Sequence, residues 1–116
     1  MYVLITGCSH LGQALRFIEE PSSIVAPKNS QVLLKCTATA STAITIYWYK
    51  DGLRIQSDSN RVVLHSGHLL IRRLRDKKGA YQCFASTKEG TIASRKATVQ
   101  LAGKYKGICH IVICVA

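Results

Sequence analysis

Short runs of alternating apolar and polar residues fill the middle of this 116-residue chain. Successive side chains of a strand point to opposite faces, so every second residue of such a run lies on the same side. The inward residues predicted in this way are Val32, Leu34, Cys36, Ile46, Trp48, Leu69, Ile71, Tyr81, Cys83, Ala85, Ala97, Val99 and Leu101. Many short strands with this pattern favour a sandwich of two sheets.

Turn-forming residues separate these runs. Pro21 and Pro27 predict a first strand that is interrupted between them, because proline donates no hydrogen bond to a sheet. Asp51-Gly52 and Ser66-Gly67 predict tight turns, since glycine adopts positive φ without steric cost. The last predicted strand covers residues 91–101. The pattern as a whole predicts an all-β domain.

Two cysteines, a tryptophan and a tyrosine stand at characteristic offsets within these strands. Trp48 follows Cys36 by twelve residues on the next predicted strand, and Tyr81 precedes Cys83 by two. Together with the segments Trp48-Tyr49-Lys50-Asp51-Gly52 and Gly79-Ala80-Tyr81-Gln82-Cys83, they make residues 16–103 resemble an intermediate-set immunoglobulin domain of animal cell-surface receptors.

This resemblance implies an immunoglobulin-like β-sandwich of the I-set with one disulfide between its sheets, from Cys36 to Cys83. It also implies that Trp48 packs against the bridge and that the Tyr81 hydroxyl bonds to nearby backbone as a tyrosine corner. The core signature expected on this basis is Trp48, Tyr81, Leu34, Leu69 and Ile71. The alternative is a pair of unrelated buried thiols in a cytosolic β protein.

The segments that flank this core narrow the resemblance. Residues 17–23 and residues 90–103 are similar to the first immunoglobulin domain of the neogenin and DCC netrin-receptor family. Immunoglobulin domains of protogenin-like and catalytically inactive kinase-like receptors are similar too. The family carries an aspartate at the position of Lys77, paired with an arginine at the position of Arg61. Here the aspartate is Asp76, one residue earlier, so this ion pair is expected to be shifted or lost.

The resemblance implies a non-catalytic recognition module of a cell-surface adhesion or axon-guidance receptor. Its partner would be a protein ligand or a neighbouring immunoglobulin domain. Its location would be extracellular, at the cell surface within a longer receptor or as a secreted fragment. Two alternatives stay open: a spacer domain without a strong ligand of its own, and a secreted decoy.

The charge of the chain adds a second kind of partner. Sixteen lysines and arginines against six acidic residues give a formal net charge of +10, which attracts polyanions and acidic proteins. The densest basic run has the basic-basic-x-basic arrangement of heparin-binding segments, which predicts heparan sulfate as a partner. This run comprises Arg72, Arg73, Arg75, Lys77 and Lys78. A solvated charged turn is the alternative. Nucleic acid is not expected, because that interpretation rests on charge alone and conflicts with the implied disulfide.

Two tyrosines offer a candidate protein contact. Tyr47 and Tyr49 are predicted to face away from the Trp48 side of their strand. Exposed tyrosines are good anchors for protein interfaces. Cross-strand packing on the outer face of the sheet is the alternative.

Catalytic motifs are absent from the sequence. It contains no Gly-x-Ser-x-Gly, phosphate-loop or His-Glu-x-x-His motif, so neither an enzyme nor a cofactor is expected. Cys109, His110 and Cys114 supply three soft ligands, whereas structural zinc needs four, and no metal site is predicted. No run approaches the roughly 20 apolar residues of a membrane span.

The two ends of the chain differ from the middle. Residues 1–14 resemble a short, imperfect signal segment, with Gly12 and Ala14 in the small-x-small spacing that precedes cleavage; an unstructured N-terminus is the alternative. The immunoglobulin-like domain is expected at residues 15–103. Residues 104–116 resemble no part of the family and are expected to form a divergent tail, disordered or truncated.

Overall fold

The computed structural model describes residues 14–103, so the predicted signal segment, except Ala14, and the predicted tail lie outside the described residues. Within this range the chain forms strands joined by turns and irregular segments, without a helix. The strands are β1 (Arg16–Glu19), β2 (Ile24–Ala26), β3 (Val32–Leu34), β4 (Thr37–Thr39), β5 (Thr45–Lys50), β6 (Leu53–Arg54), β7 (Arg61–Val63), β8 (Leu69–Ile71), β9 (Lys78–Thr87), β10 (Gly90–Ala93) and β11 (Ala97–Leu101). The all-β prediction is confirmed.

Two layers of strands enclose the core. In the first layer β3, β8 and β7 form an antiparallel sheet in that order, and β1 pairs with β4, the strand that follows β3 along the chain. In the second layer the order is β2, β11, β9, β5 and β6, with β10 also paired to β9. The pairing of β2 with β11 is parallel, and the other pairings of this layer are antiparallel. This arrangement is a sandwich of two sheets.

The chain changes layer near the first proline. β1 pairs with β4, which follows β3 of the first layer, and β2 pairs with β11 of the second layer; the interruption between them falls at residues 20–23. Arg95 holds this crossing: its Nε donates to the Pro21 carbonyl at 2.8 Å, and its backbone N–H donates to Glu20 Oε1 at 2.9 Å. The interrupted first strand therefore pairs with β4 on one side of the interruption and with β11 on the other.

The predicted core signature lies between the layers. Each of its side chains is at most 2% exposed, and they are Trp48, Tyr81, Leu34, Leu69 and Ile71. Cys36 and Cys83 are fully buried and form the disulfide between the sheets, with their Cα atoms 6.5 Å apart. Trp48 lies directly opposite Cys83 in the pairing of β5 with β9. Burial of this apolar surface is the main force that holds the two layers together.

The prediction of one last strand over residues 91–101 is wrong, because the chain leaves the sheet at residues 94–96 and forms two strands. Ser94, which is buried, occupies the break. Its Oγ accepts a hydrogen bond from the Cys83 N–H at 3.0 Å and donates one to the Arg95 carbonyl at 2.7 Å. The hydroxyl thus satisfies backbone groups that regular pairing would have satisfied.

Tyr81 is 2% exposed and packs in the core, as the tyrosine-corner position implies. Burial raises the pKa of the Tyr81 hydroxyl, and the positive charges of Lys50 and Arg61 oppose this rise. Cations from β5 and β7, one from each layer, therefore lie near the Tyr81 hydroxyl at the edge of the core.

Candidate recognition surfaces

The basic run forms the exposed loop that follows β8 and ends on the first residue of β9. Ile71 and Leu74 are each 2% exposed and anchor the loop in the core. The basic side chains around these anchors are all exposed, and they are Arg72, Arg73, Arg75, Lys77 and Lys78. Residues 72–78 are called the basic loop below.

Hydrogen bonds hold the backbone of the basic loop on two sides. On one side the Arg72 N–H donates to the Asn60 carbonyl at 2.8 Å. The Asn60 side chain accepts from the Arg73 N–H and donates to the Arg73 carbonyl, both at 3.0 Å. On the other side the Leu74 backbone exchanges hydrogen bonds of 2.9 and 2.8 Å with the turn at residues 29–30. The backbone is therefore fixed although its basic side chains are in solvent.

Asn60 is itself held by a tight turn. Oδ1 of Asp58 accepts hydrogen bonds from the backbone N–H groups of Asn60 at 2.8 Å and Arg61 at 2.7 Å. These two bonds lower the pKa of the Asp58 carboxyl, with the Arg61 N–H contributing most. The ionised carboxylate thus positions the residue that in turn positions the basic loop.

Three arginines of the basic loop share one cleft. The cleft has a volume of about 310 Å³ and is lined by Ser59, Asn60, Arg72, Arg73 and Arg75. None of these lining residues is acidic. Three guanidinium groups beside two hydrogen-bonding side chains make a cleft suited to an anion.

The two lysines of the basic loop lie outside this cleft. The Lys77 carbonyl accepts a hydrogen bond from the Leu101 N–H at 2.9 Å, and Lys78 is the first residue of β9. The structure therefore brings three of the five predicted basic residues into one site and leaves two at its border.

The ion pair expected between an aspartate and Arg61 is shifted to another cation. Asp76 Oδ2 lies 2.7 Å from Lys50 Nζ at the end of β5. Their hydrogen bond is the main reason that the pKa of Asp76 is lowered and the pKa of Lys50 is raised. Within residues 14–103 Arg61 forms no salt bridge with Asp76. The displacement of the carboxylate by one residue has thus changed its partner.

Tyr47 and Tyr49 lie on the outer side of β5, as predicted, and pack against Phe84 of β9. The Tyr47 and Phe84 rings stack with centroids 5.6 Å apart and planes 6° apart. The Tyr49 ring lies 4.8 Å from Phe84 at 56°. Arg54 Cζ lies 4.3 Å from the Tyr47 ring centroid, within cation–π range. The two tyrosines therefore pack across strands on the outer face of the sheet, as the alternative interpretation expected, and each of the three rings remains half-buried. Tyr47, Tyr49 and Phe84 are called the aromatic face below.

Sequence reasoning missed Asn60 and Phe84. Phe84 had a usable signal, because it lies between the inward residues Cys83 and Ala85 and must face outward. Asn60 had none, since its partner Arg73 is 13 residues away and comes near only through the pairing of β7 with β8.

The part of the chain that the structure describes offers no helix long and apolar enough to cross a membrane. Nor do His, Cys, Asp and Glu side chains of that part gather in threes or more as a metal ion would require.

The two sheets, the buried disulfide between them and the tryptophan opposite Cys83 define an immunoglobulin-type β-sandwich. A family model described as immunoglobulin domain matches residues 16–87 of the chain. The chain belongs to this family, as its resemblance implied.

Curated relatives include a protein named as a receptor. Human Roundabout homolog 2 is 35% identical over an alignment of 98 residues that covers 75% of this chain. Human Netrin receptor DCC is 38% identical over an alignment of 100 residues that covers 78% of this chain. In both cases the match covers 7% of the relative, so the chain spans a small fraction of their length. The predicted similarity to DCC is confirmed.

Solved structures of receptor domains have the same fold. The N-terminal Ig1-2 module of Drosophila receptor protein tyrosine phosphatase DLAR matches with a TM-score of 0.70 and 26% identity. The match covers 75% of this chain and 45% of that one.

Proposed function

We propose that the chain is an extracellular, non-catalytic recognition module of a cell-surface adhesion or axon-guidance receptor, and that its basic loop binds heparan sulfate. The immunoglobulin fold and the similarity to a protein named as a netrin receptor support the first part. The disulfide fits an oxidising, extracellular compartment. The observation that carries the second part is the cleft lined by Arg72, Arg73 and Arg75.

The chemistry of the cleft matches a sulfated chain. A guanidinium group donates two parallel hydrogen bonds to an oxyanion, which adds geometry to charge. Because Asn60 and the turn at residues 29–30 fix the loop backbone, less conformational freedom is lost on binding. Lys77 and Lys78 add positive charge at the border of the cleft, and the net charge of +10 speeds encounter with a polyanion.

Heparin affinity chromatography of the full chain tests this site. One variant replaces Arg72, Arg73 and Arg75 with alanine. The control variant replaces three exposed cations outside the basic loop with alanine, namely Arg16, Lys35 and Lys88. Each variant loses three positive charges from +10, which leaves +7, so the two differ only in where the charge is removed.

The cleft predicts that the control elutes close to the unmodified chain, whereas the arginine variant elutes at much lower salt. Equal shifts in the two variants would show that charge acts without a defined site. Elution of the unmodified chain at low salt, unchanged in the arginine variant, would reject heparan sulfate as a ligand.

A spacer function without a strong ligand is the alternative, because the rings of the aromatic face pack on one another within the domain whether or not a partner binds. A spacer predicts that surface changes leave binding of the chain to cells unaltered. Loss of cell binding after substitution of Tyr47, Tyr49 or Arg72 would support recognition instead.

The proposal includes residues 1–14 as a signal segment that is removed before the domain at residues 15–103. Peptide mass spectrometry of the secreted protein would then find Leu15 at the N-terminus. A mature protein that still contains Met1 would contradict this part.

A further inference from the structure

The aromatic face is an ordered apolar surface on the outside of the second layer. Tyr47 and Phe84 are direct partners in the pairing of β5 with β9, and the three ring centroids lie 4.8 to 6.1 Å from one another. These contacts restrict the rings before any partner arrives. Rigid, half-exposed aromatic side chains lose little conformational freedom on binding and are frequent anchors of protein interfaces.

A cleft of about 550 Å³ opens beside two of these rings. Tyr49 and Phe84 line it together with Ala80, Gln82 and Lys96, which lies just before β11. The turn at its border carries Gly52, where no atom lies within 4 Å of the position of an added Cβ. The cleft is therefore open at this end and large enough to receive a side chain from a partner.

Two cations flank the aromatic face, one on each side of the β5–β9 pair. Arg54 of β6 lies over Tyr47, and Lys96 lines the cleft on the side of β11. Asp51 is the acidic residue of the cleft lining, and its carboxylate already has partners within the domain. Its Oδ1 accepts a backbone N–H at 2.9 Å, and its Oδ2 lies 3.8 Å from Lys50 Nζ. The surface is apolar at its centre and positively charged at its border.

A second copy of the chain fits this surface poorly. A symmetric contact would bring Arg54 and Lys96 of one copy towards the same cations of the other, and like charges in an interface are destabilising. Two chains that each carry a net charge of +10 also repel each other before contact. Charge complementarity points instead to an acidic partner.

We infer that the aromatic face binds an acidic polypeptide segment. An aromatic or aliphatic side chain of that segment enters the cleft against Tyr49 and Phe84, and its carboxylates pair with Arg54 and Lys96. The inference rests on the proposed function as a recognition module, but it assigns a ligand to a different surface from the basic loop.

Nuclear magnetic resonance titration of the full chain tests this assignment. The probe is a short synthetic peptide in which Asp and Glu alternate with Phe and Tyr, and its counterpart carries Asn and Gln in place of the acidic residues. The acidic peptide is expected to shift amide signals of β5, β9 and Lys96. The neutral peptide should bind at least about tenfold more weakly than the acidic peptide, because the charged contacts it lacks are worth about 1.4 kcal/mol or more.

Charge reversal locates the binding. Arg54→Glu with Lys96→Glu changes two exposed side chains and should weaken binding of the acidic peptide by about tenfold or more. Arg16→Glu with Lys35→Glu reverses the same number of exposed charges elsewhere on the chain and should leave the affinity within about twofold. Equal losses in the two variants would overturn the inference.

Three other outcomes would also overturn it. Peptide-induced shifts confined to the basic loop would place the acidic segment there. A heparin oligosaccharide that shifts the aromatic face as the peptide does would identify the ligand as a glycan. If the chain does not bind the peptide but still elutes from heparin at high salt, this inference is rejected and the proposed function stands. If the chain binds the peptide but not heparin, the proposed heparan sulfate site is rejected and this inference stands.

Discussion

Replacement of Gly67 with alanine tests how the turn between β7 and β8 supports the core. Gly67 has a φ of 104°, a backbone conformation that is strained for residues other than glycine. An added Cβ would lie 2.9 Å from the Cys36 carbonyl oxygen and 3.1 Å from Ile46 Cγ1. The Gly67 carbonyl also accepts the hydrogen bond of Trp48 Nε1 at 2.8 Å. Relief of the clash would therefore move a group on which the core tryptophan depends.

The expected cost has two parts. Backbone strain contributes about 1–3 kcal/mol, and the forced close contact contributes about 1–3 kcal/mol more. Gly52→Ala is the matched control, because Gly52 has a φ of 84° but nothing within 4 Å of its added Cβ. Gly67→Ala should therefore lower the free energy of unfolding by about 1–3 kcal/mol more than Gly52→Ala. For a domain of about 100 residues, each kcal/mol corresponds to roughly 4–8 °C in Tm.

Urea unfolding of the oxidised protein measures both losses through the fluorescence of Trp48, the single tryptophan. The midpoint should fall in both variants, and further for Gly67→Ala, with an unchanged dependence of the unfolding free energy on urea. Equal losses in the two variants would refute the argument that the turn is tightly packed against Cys36 and Ile46.

Three further substitutions address other parts of the structure. Joint replacement of Cys36 and Cys83 with alanine should lower the free energy of unfolding by about 4 kcal/mol, because the bridge joins residues that are 47 positions apart in the sequence; unchanged stability in urea would contradict this role. Asp76→Asn should cost at most about 1 kcal/mol at neutral pH, because the pair with Lys50 is partly exposed. Because the pKa of Asp76 is lowered in the folded protein, its contribution to stability is present above the unfolded pKa of 3.8 and is lost as pH falls through the folded value. The urea midpoints of Asp76→Asn and of the unmodified protein should therefore converge in acid. Midpoints that stayed apart in acid would refute the pairing. Asn60→Ala should cost about 1–2 kcal/mol and also lower the salt at which the chain elutes from heparin; unaltered elution would show that the Asn60 side chain does not position the loop for binding.

The inward side of each strand was predictable because it depends on local alternation. Trp48, Cys83 and Leu34 required only the period of two that a strand imposes, together with burial of apolar surface. Burial of Leu74 did not follow from alternation, which continues from Leu69 and Ile71 to Arg73 and places Leu74 outward, so the exposure of Arg73 required the structure. Local patterns therefore carried most of the fold and the position of one candidate site.

Contacts between distant segments were not predictable from local patterns. The partner of Asp76 depends on where β5 ends, so Lys50 could not be chosen from the sequence around Asp76. The break at Ser94 depends on a hydroxyl that reaches the backbone of Cys83 on the neighbouring strand. Asn60 likewise acts on the basic loop only after β7 and β8 have paired. These features require the assembled sandwich.

The salt dependence of heparin affinity tests most directly that the basic loop recognises a polyanion. Calorimetric titration with a heparin oligosaccharide at several salt concentrations gives the slope of log K against log salt, which counts the cations that contact the polyanion. Replacement of Arg72, Arg73 and Arg75 with alanine should reduce this slope by about two to three, and the variant that lacks Arg16, Lys35 and Lys88 should keep it. An unchanged slope in the arginine variant would contradict recognition by the basic loop.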